Sequence, residues 1–343
     1  MTQQAIQKRD AAKVAIIGPG RIGTNVAFQI YNRLGRKGLV EDIMLIGRNS
    51  KKVSCVAEEI YDANDGSIPT RLTQSTEPQS AAGYDVVVYA AGRTIRSSEK
   101  REDLLVENGI LARTILDRLE VRGNEVFITV TNPVDVLNTY FSRELGLPAN
   151  QVIGFGGMLD AARFRQAVVS QMRNLLGKAV YATEVKNAFV LGQHGDWLTP
   201  LFERLELPAS VPPLDAGTIE KVRSAMAEIV PKLIKFRGCA DIAPAAHISK
   251  MIEALLTGRD SEIECCSIVP PKQAQEHYGG EALAVSFGIP VTMKKGGVET
   301  RILEILDESR QRITTGVREI AKGVEMLYEN IVLKHNGNWK QVA

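Results

Sequence analysis

A short apolar run followed at once by closely spaced glycines constrains this chain more than any other feature. Residues 14–17 (VAII) have the continuous apolar character of a strand buried on both faces, and Gly18-x-Gly20-x-x-Gly23 comes next. A helical repeat of apolar residues then runs to Gly35. Glycines placed between a strand and a helix let backbone approach a pyrophosphate and let the helix pack on the strand. We therefore predict a dinucleotide site that comprises Gly18, Gly20, Arg21, Ile22 and Gly23.

The end of the second predicted strand, residues 43–46 (IMLI), carries no acidic residue. In an NAD site an Asp or Glu at this point binds the ribose 2′-hydroxyl. The residues that follow instead carry a guanidinium, an amide, a hydroxyl and two lysine ammonium groups. Such groups can bind a 2′-phosphate. We predict NADP as the cofactor, with NAD as the weaker alternative. The alternative interpretation is that these cations only begin a solvated helix. The residues predicted to bind this end of the cofactor are Gly47, Arg48, Asn49 and Ser50.

Two further apolar runs, residues 85–92 and 125–130, are predicted to be buried strands of the same sheet. The first ends on small residues, Ala91 and Gly92, as backbone close to a cofactor requires. The second ends at Asn132, at the carboxyl edge where open α/β sheets bind ligands. Residues 93–103 between them are polar and rich in cations, which predicts either a lid over an anionic substrate or a solvated loop.

The alternation of strands and helices loosens beyond about residue 150. We predict an α/β fold in which a Rossmann-like, doubly wound parallel sheet is followed by an α+β substrate and catalytic domain. The expected division is a flexible arm at 1–11, a dinucleotide-binding domain at 12–150, a substrate domain at 151–335 and a tail at 336–343. Within the second domain, residues 281–293 resemble two strands joined by a turn at Gly288, and the last helix carries an apolar stripe.

An apolar run at residues 187–196 presents His194 between two glycines. Imidazole titrates near neutrality, so a histidine at the end of such a run is a candidate acid/base. Upstream, Asp160 and Arg163 are three residues apart and share one face of a predicted helix. The alternatives are a structural histidine and a surface salt bridge. His247 is interpreted as a pocket-wall or core residue and is left out of the active set.

Composition limits the remaining possibilities. A net charge of +2 gives no strong field, so nucleic acid is not an expected partner. The four cysteines have no paired spacing and are predicted to be free thiols, with no metal site. The absence of a secretory segment and of an apolar run of eighteen residues predicts a cytoplasmic protein without a membrane partner.

Four strings in the same order resemble the L-lactate/L-malate dehydrogenase superfamily over most of the chain. They are the glycine loop at 18–23, TNPVDV at 131–136, VIG at 152–154 followed by LDAARFR at 159–165, and GQHGD at 192–196. GGVE at 296–299 is a weaker match. The resemblance implies reversible hydride transfer between a nicotinamide cofactor and a 2-oxo/L-2-hydroxy acid pair. It also implies an assembly of two or four identical subunits.

The resemblance further implies a role for each matching residue. His194 would be the proton donor and acceptor, and Asp160 would orient its ring. Arg163 would bind the substrate carboxylate through two hydrogen bonds. Asn132 would orient substrate and nicotinamide, and Arg101 on the lid would polarise the carbonyl group.

The lid departs from the family pattern at the position that selects dicarboxylates. Six residues before Arg101 the chain has Ile95, which implies an apolar substrate side chain, while Arg96 stands one step later. We expect a specialised 2-oxo acid. A register shift that brings Arg96 to a second acidic group would instead give a malate dehydrogenase. Two other classes are alternatives: a non-catalytic NADP(H)-binding protein of the same fold, and a metal-assisted, NAD-using glycosidase, for which the sequence has no evident ligand cluster.

Overall fold

The computed structural model describes residues 11–93, 101–176, 180–258 and 262–335. Its centre is a sheet of nine strands, six of which are parallel in the order β3-β2-β1-β4-β5-β6. Chain order reverses between β1 and β4, as in a doubly wound sheet. The predicted fold class is confirmed. The six parallel strands are β1 (Ala12–Ile17), β2 (Val40–Ile46), β3 (Arg71–Ser75), β4 (Val86–Tyr89), β5 (Val126–Thr129) and β6 (Val152–Gly154).

The same sheet continues into the second half of the chain with antiparallel strands. β9 pairs with β6, and β10 and β11 extend the sheet from there. The strands of the second half are β7 (Val190–Leu191), β8 (Thr199–Pro200), β9 (Ile263–Ile268), β10 (Phe287–Lys294) and β11 (Gly297–Thr300). β7 and β8 form a separate two-stranded sheet immediately before and after the segment that carries His194.

Helices follow the strands as the apolar periodicity predicts. The first ends in a π-helical segment (Ile30–Gly35), so its register changes before the predicted stop at Gly35. His247 lies inside the seventh helix, one turn after its start. The helices are α1 (Arg21–Gln29), α2 (Ser50–Asp62), α3 (Arg101–Leu116), α4 (Val134–Glu144), α5 (Gly157–Leu176), α6 (Ala216–Arg237), α7 (Ile242–Thr257), α8 (Lys272–Gly279) and α9 (Asp307–His335).

Gly288 does not form the turn that its position predicted. It lies within β10, where its backbone exchanges two hydrogen bonds with Gly192, at 2.8 and 2.9 Å. A Cβ atom at Gly288 would lie 2.9 Å from the carbonyl oxygen of Gly192. The glycine is therefore required by close approach of two backbones. That contact fixes the chain two residues before His194.

The apolar stripe of α9 is confirmed as a docking face. The helix packs against α3, α4 and α8, and the six stripe residues are at most 4% exposed. They are Ile313, Val317, Ile320, Val324, Leu327 and Ile331. All four cysteines are free, and Cys265 and Cys266 are buried in β9. Across the described ranges, no helix combines the length and apolar character needed to span a membrane.

Candidate active site

The glycine loop has the geometry that a cofactor pyrophosphate requires. Gly18 has a φ of +92°, and a Cβ atom there would lie 2.4 Å from the Cα atom of Ala91 at the end of β4. A Cβ at Gly23 would lie 2.2 Å from the Gly18 carbonyl oxygen, because α1 packs closely on the loop. At Gly20, no described residue beyond its chain neighbours has a heavy atom within 4 Å of the equivalent position, so these residues leave space open where the phosphates would lie.

The predicted 2′-phosphate residues lie beside this loop. Gly47 packs against Pro19 of the glycine loop, and a Cβ atom there would lie 3.1 Å from the Pro19 Cδ atom. Arg48, Asn49 and Ser50 are exposed at the start of α2. The side chain of Asn49 accepts a hydrogen bond from the Lys52 N–H at 3.0 Å. Asn49 therefore caps α2, a role that the sequence analysis did not assign to it.

A buried amide joins the ends of β4 and β5 next to the cofactor loop. Asn108 on α3 is 1% exposed and accepts a hydrogen bond from the Arg93 N–H at 3.0 Å. Its amide nitrogen donates to the Asn132 carbonyl oxygen at 2.8 Å. Beside it, the Thr131 hydroxyl donates to the Ala91 carbonyl oxygen at 2.9 Å. These contacts hold the predicted nicotinamide edge together, and no periodic pattern in the sequence marks Asn108.

The structure brings Asp160, Arg163 and His194 together. The Nδ1 atom of His194 lies 2.5 Å from Asp160 Oδ2, and Arg163 Nη1 lies 3.3 Å from Asp160 Oδ1. The side chains of Asp160, Arg163 and His194 are 6%, 12% and 22% exposed, so the acid is buried and the imidazole reaches the cleft. A Cβ atom at Gly156 would lie 2.8 Å from the imidazole, so this glycine lets the ring pack against the start of α5.

The surroundings of His194 raise its pKa above the ordinary value. Burial of the ring opposes protonation, but the charge and hydrogen bond of Asp160, together with the charge of Asp135, outweigh it. Because Asp160 engages Nδ1, the other ring nitrogen, Nε2, is the one through which the imidazole can exchange a proton with a ligand. These two carboxylates therefore favour the protonated form of the ring.

Asp135 is a site residue that the sequence analysis quoted only as part of a motif. Its carboxylate accepts a hydrogen bond from the His194 backbone N–H at 2.7 Å, across 59 residues of chain. Asp135 lies three residues after Asn132, so the contact links the β5 edge directly to His194. The cofactor loop, the β4 and β5 edges, and His194 thus form one continuous set of contacts.

The structure describes some of the remaining candidate residues and leaves others outside its described ranges. Ile95 and Arg96 lie outside the described residues, and Arg101 is described only as the first residue of α3. His247 is partly buried on α7, where burial and the charges of Lys250, Arg163 and Arg165 lower its pKa to about 4. It is therefore neutral at neutral pH. Within the ranges that the structure describes, no group of three or more His, Cys, Asp or Glu residues is placed to hold a metal ion.

Comparison with known proteins agrees with this geometry. Residues 12–154 match the family model for the lactate/malate dehydrogenase NAD-binding domain, and residues 157–330 match the model for the lactate/malate dehydrogenase alpha/beta C-terminal domain. The chain belongs to the lactate/malate dehydrogenase family. It is accordingly a dehydrogenase-type oxidoreductase with a nicotinamide cofactor and a small hydroxy-acid substrate.

Some relatives of this chain are malate dehydrogenases and others are lactate dehydrogenases. A malate dehydrogenase from Chlorobium phaeobacteroides is 31% identical over 303 residues, which are 85% of this chain and 90% of the relative. A malate dehydrogenase structure from Cryptosporidium parvum has a TM-score of 0.80 at 25% identity, over 93% of this chain and 99% of that one. A lactate dehydrogenase from the same organism, complexed with lactic acid and nicotinamide adenine dinucleotide, has a TM-score of 0.79 at 25% identity, over 93% and 98%.

Proposed function

We propose that this protein is an NADP-preferring L-2-hydroxy acid dehydrogenase that interconverts a specialised 2-oxo acid and its L-2-hydroxy acid. The observation that carries the proposal is the Asp160–His194 contact of 2.5 Å, with Arg163 beside it, joined to the glycine loop through the contacts at the ends of β4 and β5. By family habit we also propose a homodimer or a homotetramer, which light scattering of the purified protein would test.

In this reaction His194 donates a proton from Nε2 to the carbonyl oxygen during reduction and takes it back during oxidation. Asp160 keeps the second proton on Nδ1 and stabilises the charged ring. The glycine loop and residues 47–50 would hold the cofactor, which would supply or accept the hydride at C2 of the substrate. The raised pKa of His194 favours the protonated ring, which is the form that reduction needs. Reduction should therefore weaken as pH rises through that pKa, and oxidation should strengthen.

Substrate binding is assigned to the groups around the imidazole. Arg163 binds the substrate carboxylate through its planar guanidinium group, and the hydrogen bond from Arg163 to Asp160 orients that group. Asn132, anchored through its carbonyl oxygen to Asn108, orients the substrate and the nicotinamide. Arg101 polarises the substrate carbonyl and stabilises the developing oxyanion.

The NADP preference is tested with Arg48→Gln. The wild-type protein should use NADPH with higher kcat/KM than NADH, and the variant should lose about tenfold or more of that preference because one charge-assisted contact to the 2′-phosphate is removed. Initial rates with both reduced cofactors measure it. Arg318→Gln on α9 is the matched control, because Arg318 pairs with Glu281 on the surface. Higher efficiency of the wild-type protein with NADH would refute the preference.

Substrate choice is tested at the two candidate lid residues. If Ile95 faces the substrate, Ile95→Arg should raise kcat/KM for oxaloacetate relative to 2-oxo monoacids, by about tenfold or more, since it adds an ion pair. Initial rates against 2-oxo acids that differ in side-chain charge measure the change. The names of the relatives favour a second candidate, malate dehydrogenase. In that case wild-type protein should prefer oxaloacetate, and Arg96→Gln should abolish the preference.

A further inference from the structure

A buried carboxylate that the proposed mechanism does not use lies beneath His194. Asp135, in the first turn of α4, is 2% exposed. One of its oxygens accepts the His194 backbone N–H at 2.7 Å, and the other accepts a hydrogen bond from the Ser267 hydroxyl on β9. A single side chain therefore ties α4 and β9 to the segment that carries the imidazole. Asp135, Asp160, His194 and Ser267 also line one cleft.

This carboxylate is one end of a buried polar network. The Ser267 hydroxyl lies 2.9 Å from the Ser286 hydroxyl, which accepts a hydrogen bond from the Asn138 amide at 2.8 Å. The side-chain oxygen of Asn138 (Oδ1) in turn accepts a hydrogen bond from the Thr129 hydroxyl at 2.8 Å, at the end of β5. All four of these residues are at most 2% exposed. Buried networks whose members are all hydrogen-bonded are rigid, so the network links the predicted cofactor edge to His194 in fixed geometry.

We infer that Asp135 is a positioning residue for the acid/base reaction: its carboxylate fixes the main chain of His194, and its negative charge helps to hold a proton on the imidazole. The inference rests on the proposed function, because a proton on His194 matters only if His194 exchanges it. Asp135 acts through the backbone amide of His194, whereas Asp160 contacts the imidazole ring itself.

The charged groups around the imidazole support these separate roles of Asp135 and Asp160. Asp160 and Arg163 face it from α5 and Asp135 from α4, while β9 contributes the neutral Ser267 hydroxyl and β10 contributes backbone at Gly288. Burial raises the pKa of Asp135 to about 6, even though the Ser267 hydroxyl and the charge and N–H of His194 favour its ionised form. Asp135 is therefore ionised above about pH 6, where a supporting charge is needed to keep His194 protonated.

Asp135→Asn separates the charge from the geometry. The amide oxygen of asparagine can still accept the His194 N–H, and its NH₂ group can donate to Ser267, which can donate to Ser286. We expect the pKa of His194 to fall by about 0.5 to 1, as loss of a nearby opposite charge predicts. Histidine NMR titration measures it without substrate, and the resonance is assigned by its absence in His194→Asn. The alkaline limb of kcat/KM for reduction should move to lower pH by the same amount.

Two serine variants keep the test decisive if Asp135→Asn does not fold. Ser267→Ala removes the hydroxyl that supports the Asp135 carboxylate, so the pKa of His194 should fall in the same direction by a smaller amount. Ser249→Ala is the matched control, because this buried hydroxyl on α7 has no hydrogen-bond partner among the described residues and should leave His194 unchanged. Suppose that the wild-type protein is active and that the Asp135→Asn or Ser267→Ala variant folds. An unshifted pKa of His194 in that variant would then overturn the inference about Asp135 and leave the proposed function intact. Wild-type protein that reduces no 2-oxo acid would instead refute the proposed function.

Discussion

Replacement of His194 by asparagine is expected to reduce turnover by about a hundredfold or more while leaving NADPH affinity unchanged. Asparagine can still fill the space beside Asp160, but it cannot give or take a proton. The glycine loop and the start of α2, where the cofactor is predicted to bind, do not include this side chain. Steady-state initial rates measure the turnover, and a fluorescence titration with NADPH measures the affinity.

The control for this prediction is His277→Asn. His277 lies on α8, where its Nε2 atom is 2.9 Å from the Leu303 carbonyl oxygen, and it takes no part in the candidate site. Its replacement should leave kcat within about threefold of wild type, as an ordinary substitution outside the reacting groups would. Full turnover in the His194 variant would remove the imidazole from its proposed role.

The second large effect is expected for Arg163→Lys. The substitution keeps the positive charge but replaces a planar fork with a single ammonium, so one of the two parallel hydrogen bonds to the substrate carboxylate is lost. A charge-assisted hydrogen bond contributes about 1.5–3 kcal/mol, so we expect kcat/KM for the 2-oxo acid to fall by about ten- to a hundredfold. Initial rates over a range of substrate concentrations measure the change.

Arg173→Lys is the matched control on the same helix. The Nε atom of Arg173 donates to the Val180 carbonyl oxygen at 2.9 Å, ten residues along α5 from Arg163. This variant should retain wild-type kcat/KM. If Arg163→Lys were also unimpaired, the substrate carboxylate would have to be bound elsewhere.

Local patterns were sufficient for the glycine loop and for the buried strands next to it. Buried strands such as β1 and β4 appear as continuous apolar runs, and the glycine loop lies between β1 and α1, so neighbouring residues determine each element. The predicted position of Asp160 and Arg163 on one face of a helix also depends only on their spacing. These features could be predicted because short segments of sequence specify them.

The errors and omissions involve contacts between distant segments. Gly288 was interpreted as a turn because glycine is common in turns, but the reason for this glycine is the backbone of Gly192, which lies almost a hundred residues away. Asp135 and Asn108 are likewise polar residues in helices whose partners come from other elements. No periodic pattern marks such residues, since only tertiary packing shows which groups they bind.

The central claim is that a hydride and a proton from His194 reach the same carbon–oxygen bond. Its most direct test is mass spectrometry of the 2-hydroxy acid formed from the best 2-oxo acid of the panel with reduced cofactor in which both hydrogens at C4 of the nicotinamide are replaced by deuterium. We expect a single deuterium at C2 of the product with wild-type protein, and almost no product with His194→Asn. Product without deuterium at C2, or equal product from the two proteins, would contradict the claim.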